Sequence, residues 1–172
     1  MKKMMTMVAF FAAATMLFAG CGGDDDNVPS GAAPKIVLEG GDIDAVQEIV
    51  KGMKVKVSVE AVCGIASFVL EINSPVLTTE VLSEFGLTQK MNLVKPETPE
   101  IAGALAKLGF PVGDKLYGKT NVAFDISQFI PLIAKLAPIT ASHNFKLTVT
   151  DAAGQTTIKT LKFHFTAPAP AK

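Results

Sequence analysis

The side chains best suited to chemistry in this sequence are few: two cysteines, two histidines and scattered carboxylates. Cys21 follows the small residues Ala19 and Gly20 at the end of an apolar segment, so its thiol is accessible to modification. Cys63 lies in phase with Val55, Val57 and Val59, which places it on a buried face where a small hydrophobe suffices. A nucleophilic cysteine would need a neighbouring base and partial exposure. His143 and His164 fall on neighbouring strands of a hairpin; His164 alternates with Phe163 and Phe165 and faces solvent, whereas His143 shares phase with Phe145 and faces inward. Opposite faces and no third ligand argue against zinc. Asp42-Ile43-Asp44 lacks the regularly spaced oxygens of a calcium loop and reads as a turn with capping acids ahead of a helix over 45–50. Glu97, Glu100 and Asp114 are the carboxylates from which a glycoside-hydrolysing pair could be drawn, but nothing flags a pair, and helix capping and solvation account for them. The expectation is no catalytic set, no metal site and no cofactor.

Composition narrows the partners. The 172 residues carry 16 lysines, no arginine and 16 acids. Without Lys2 and Lys3 of the leader, 14 lysines face 16 acids, a net charge of −2. A nucleic-acid binder needs a basic excess, and bidentate recognition of phosphate needs arginine. Tryptophan is absent and Tyr117 is the sole tyrosine, so stacking platforms for sugars or bases are scarce.

Residues 1–20 begin with Lys2 and Lys3 and continue as an apolar run from Met4 to Phe18. That run is short for a membrane span, which takes about 20 residues, and suits a signal peptide. Leu17-Phe18-Ala19-Gly20-Cys21 resembles the lipobox of bacterial lipoproteins, with Phe18 where the family more often has Leu or Val. The resemblance implies cleavage before Cys21, diacylglyceryl transfer to its sulfur and a lipid anchor in the membrane. An acylated Cys21 leaves Cys63 no partner for an intrachain disulfide. Asp24-Asp25-Asp26 after Gly22-Gly23 is similar to the lipoprotein export signal of Bacteroidetes, which implies an outer-membrane protein displayed on the cell surface.

Residues 21–34, rich in Gly, Asp, Pro, Ser and Ala, read as a flexible tether, and 167–172 as a disordered Pro/Ala tail. Between them, residues 35–166 form one domain. Period-two alternation predicts strands over 35–39, 54–60, 68–72, 120–125, 143–151 and 161–165. Asp151-Ala152-Ala153-Gly154 makes a hairpin turn, and a phase slip between Ile158 and Leu161 predicts a bulge near 159–160. Thr98-Pro99-Glu100 opens a helix that Gly109-Phe110 stops, Thr78 to Phe85 repeats the device, and a third piece covers 127–137.

These elements predict a mainly β fold, an antiparallel β-sandwich with short helical insertions. Phe145 through Gly154 resembles the last hairpin of bacterial immunoglobulin-like and polycystic-kidney-disease-like domains, and the middle of the chain resembles uncharacterised Bacteroidetes surface lipoproteins. The resemblance implies an immunoglobulin-like sandwich without shared catalytic residues. The expected function is a non-enzymatic binding or assembly module for a protein or glycan partner. The alternatives are an accessory glycan-binding lipoprotein of a polysaccharide-utilisation system and, third, a carboxylate-dependent hydrolase. The loop holding Phe110, Pro111, Val112 and Tyr117 is an interaction surface or, more simply, a cap on the open end of the sandwich.

Overall fold

In the computed structural model, the residues described are 31–50, 52–128, 130–131 and 140–166. Eight strands are β1 (Lys35–Leu38), β2 (Val46–Glu48), β3 (Lys56–Glu60), β4 (Ile65–Asn73), β5 (Lys90–Asn92), β6 (Asn121–Asp125), β7 (Ala141–Asp151) and β8 (Thr156–Phe165). Two helices, α1 (Thr79–Glu84) and α2 (Pro99–Lys107), fall on either side of β5, and a single 3₁₀ turn covers Gly113–Lys115. One sheet has the order β1-β3-β6, the other β2-β8-β7-β4-β5. Every pairing is antiparallel except β2 with β8.

The alternation of the sequence decides which faces meet. Val57, Val59 and Phe124 of the smaller sheet share one core with Phe68, Leu70, Phe145 and Phe163 of the larger. Phe68 and Phe124 join the sheets edge to face, with centroids 6.0 Å apart, and Phe145 and Phe163 meet similarly at 5.7 Å. Each such pair contributes about 0.5–1.5 kcal/mol beyond burial of area.

Both helices follow the caps written in the sequence. Thr78 and Thr98 accept the N–H groups of Val81 and Ile101. At the other ends, Leu87 donates to the Leu82 carbonyl and Phe110 to that of Leu105, each across a glycine of positive φ, Gly86 and Gly109. These are Schellman stops, which swing Leu87 and Phe110 back into the core.

Three expectations fail. Residues 46–48 form strand β2 on the parallel edge of β8, not a helix, because three backbone pairings with 162–164 outweigh local capping. β8 runs in unbroken register with β7, without a bulge near 159–160. Lys159 does occupy an inward phase, but at the rim, where its ammonium escapes to Asp44 at 2.6 Å. The register shift lies instead in β4, between Ile65 and Ser67. The last residues assigned to the tether are attached to the domain: Pro34 is buried, and the Gly31 carbonyl accepts from Gln155 Nε2 at 2.7 Å. Most of the expected helix over 127–137 lies outside the described residues, as does the 167–172 tail.

Candidate functional site

Cys21 and the run Asp24, Asp25 and Asp26 lie outside the described residues. The other residues singled out by type are dispersed across the domain.

His143 is fully buried at the start of β7, and His164 is half-buried on the opposite face of the sheet. His143 Nδ1 lies 2.7 Å from Ser74 Oγ. That oxygen already accepts from the backbone N–H of Leu77 at 3.0 Å and Val76 at 3.3 Å, so its own proton points to Nδ1. The network therefore assigns a neutral imidazole with its proton on Nε2, and Nε2 has no hydrogen-bond partner among the described residues. Burial, then the charge of His164, lowers the His143 pKa. His164 Nδ1 lies 3.0 Å from Ser142 Oγ on the outer face. No group of three His, Cys, Asp or Glu capable of holding a metal occurs among the described residues.

Cys63 corrects its expectation. It is half-buried in the turn between β3 and β4 and is disulfide-bonded, where the sequence reading made it a buried residue outside any disulfide. The chain has one other cysteine, Cys21. The phase argument failed because the strand ends at Glu60 and the chain turns before Cys63.

The acids act locally. Asp42 Oδ1 caps the Asp44 N–H, and Asp44 pairs with Lys159. The Glu100 carboxyl is held below its usual range by its own backbone N–H and by the Thr98 hydroxyl, the signature of a helix cap. Glu97 and Asp114 are exposed. Asp151 is buried but satisfied, its Oδ1 accepting from the N–H groups of Ala153 and Gln155.

The apolar loop separates into core and surface. Phe110 is 4% exposed and packs against Phe124, because the Schellman stop of α2 turns it inward. Val112 is partly buried against the same core, and Pro111 is half-buried. Tyr117 alone is open, at 64% exposure.

The larger sheet brings together a group that the sequence reading missed. Antiparallel register places Lys90, Glu71, Lys146 and Thr160 in one row across β5, β4, β7 and β8. The next row is Asn73, Asn144 and Lys162. All belong to the outward phase and line a shallow groove of about 680 Å³. Lys146 Nζ lies 2.9 Å from Glu71 Oε2, and Lys90 Nζ 3.3 Å from Oε1. The hydrogen bond from Lys146, helped by that from Lys90 and opposed by desolvation, lowers the Glu71 pKa. Lys162 Nζ reaches the backbone carbonyl of Asp44 at 3.2 Å. The alternation around Glu71 and Lys146 did signal an outward face; their partnership awaited the register.

The chain matches no protein-family model and no curated protein.

Proposed function

We propose that this chain is a lipid-anchored cell-envelope protein whose domain is an immunoglobulin-like binding or assembly module rather than an enzyme. The carrying observation is the leader ending in Leu17-Phe18-Ala19-Gly20-Cys21, followed by Asp24-Asp25-Asp26. In this reading Cys21 receives the lipid, and its acyl chains hold the protein in the outer membrane, each buried CH₂ contributing about 0.8 kcal/mol. The acidic run directs it to the outer surface.

Strand order supports the immunoglobulin-like assignment. The smaller sheet pairs the first, third and sixth strands, and the larger continues β8-β7-β4-β5 in the manner of the G-F-C-C′ sheet of variable domains. The first segment divides between sheets, β1 on one and β2 on the other. A sandwich whose Asp42, Glu100 and Asp151 serve caps and turns and whose Asp44 serves a rim pair suits binding. The alternative of glycan binding gains from the groove of Lys90, Glu71, Lys146 and Lys162, which offers hydrogen-bonding groups on fixed strands.

One sulfur cannot be both thioether and half-cystine. An acylated Cys21 and a disulfide at Cys63 therefore belong to different species of the chain. Mass analysis of the N-terminal peptide from purified membranes tests the proposal. The expected result is a mature peptide starting at acylated Cys21, with Cys21→Ala released from the membrane and its domain still folded. Recovery of an unacylated chain with Cys63 in a disulfide overturns it. Protease shaving of intact cells reads the side of the membrane. A pull-down from cell envelope that returns neither protein nor glycan counts against the binding module.

A further inference from the structure

We infer that the outer face of the five-stranded sheet takes an anionic saccharide, carboxylated or sulfated, held by Lys90, Lys146 and Lys162 with the amides of Asn73 and Asn144. This rests on the reading of the domain as a binding module and names the chemistry of its ligand.

The face is a rigid platform. β4 and β7 pair from Ser67↔Thr150 to Asn73↔Asn144 without interruption, and β7 and β8 throughout, so the side chains stand at fixed strand spacings. Its charge is the opposite of the mature chain's. Among the described residues lining the groove, Glu71 is the one acid against three lysines, leaving a net charge of +2 on a protein whose mature net charge is −2. Both Glu71 oxygens are already engaged, yet each ammonium keeps further donors beyond the contact it makes. An incoming carboxylate or sulfate ester can accept from them while Glu71 stays paired.

The walls select among anions. Asn73 and Asn144 both donate and accept, which matches vicinal hydroxyls. No aromatic residue lines the groove among the described residues, and the chain has no arginine. Bases therefore have nothing to stack on, and a protein partner lacks the Trp, Tyr and Arg anchors of binding hot spots. A neutral sugar that depends on stacking is excluded for the same reason. What remains is recognition by charge and hydrogen bonds together. The groove volume of about 680 Å³ fits a short oligosaccharide stretch, within the roughly 300–1,000 Å³ of ligand sites.

The test measures affinity of the purified full chain for oligogalacturonate, dextran sulfate and neutral dextran at low and high ionic strength. Retention of either anionic saccharide, lost on raising salt, is expected, with neutral dextran unbound. The arm that binds distinguishes carboxylate from sulfate. Lys90→Gln and Lys162→Gln should each weaken binding roughly fivefold, and the double variant roughly twentyfold, each change removing one charge-assisted contact. Lys146 is kept so that Glu71 remains paired, and an unchanged thermal transition verifies the fold. The inference is overturned if neither anionic saccharide binds, if neutral dextran, polyglutamate or single-stranded DNA binds as tightly, or if the variants bind like the parent. Acylation of Cys21 and partner recovery from the envelope are measured independently, so the ligand class can fall while the anchored binding module stands.

Discussion

Gly109→Ala probes the joint on which the fold turns, where α2 ends against β6. Gly109 has φ of +91°, and a Cβ built there would clash with the backbone oxygen of Asp125. Gly154, in the β7–β8 turn, has φ of +80° with nothing within 4 Å of its Cβ. Both substitutions incur the strain of a left-handed non-glycine residue, about 1–2 kcal/mol, and both gain the same unfolded-state benefit, which cancels in their difference. Gly109→Ala alone must also push the Asp125 carbonyl away by well over 1 Å to reach an ordinary contact. That carbonyl is not free to move. The next N–H, of Ile126, donates to Val55 at 2.9 Å, and Asp125 Oδ1 accepts from Ser127 at 2.8 Å. Loss of these two bonds adds about 2 kcal/mol. The expected destabilisation of Gly109→Ala therefore exceeds that of Gly154→Ala by about 2 kcal/mol, read as the difference in their urea-midpoint shifts at constant m. Equal shifts refute the close approach of α2 to β6.

Phe110→Ala should destabilise by about 3–5 kcal/mol, as for a buried Phe, whereas Tyr117→Ala should stay within about 0.5 kcal/mol; similar values in denaturant titrations would return Phe110 to the surface. His143 should make the protein acid-sensitive. Its folded pKa lies below the unfolded value of about 6.5, so the unfolded chain binds the extra proton first, and stability should fall as pH drops below about 6.5. His143→Gln should flatten that part of the stability profile whatever its baseline loss, and a slope unchanged between pH 6.5 and 5.5 would remove the buried neutral histidine.

Local chemistry was legible where it acts within a few residues. Thr78 and Thr98 as caps, Gly86 and Gly109 as stops, and Asp151 with Gly154 as a turn all follow from side-chain hydrogen bonds or φ alone. The alternation of Val55, Val57 and Val59, or of Phe145, Leu147 and Val149, was equally plain, since each set occupies the core. The failures share a cause. β2 has three residues, with an exposed Val46 and Glu48, and its backbone is extended because β8 lies beside it. Lys159 looked like a break in phase because a lysine in an inward position is paired by Asp44, a residue 115 positions away. Local preference loses wherever such a distant partner intervenes.

The same distinction explains why the candidate groove was invisible. Glu71 meets Lys146 across 75 residues, and the two were separately recognisable as outward positions. Lys90 joins them only because β5, three residues long, docks on the edge of β4. Its own alternation is a single buried Met91 between Lys90 and Asn92, too short to distinguish from a loop. Met91 is fully buried, so the strand is fixed by the core beneath it, and the lysine is carried to Glu71 as a consequence. A charged row of this kind is assembled by apolar packing on the opposite face. Met91→Ala should thus displace Lys90 from Glu71 without any change on the groove itself, and weaker retention on the anionic saccharide, as for Lys90→Gln, would report it.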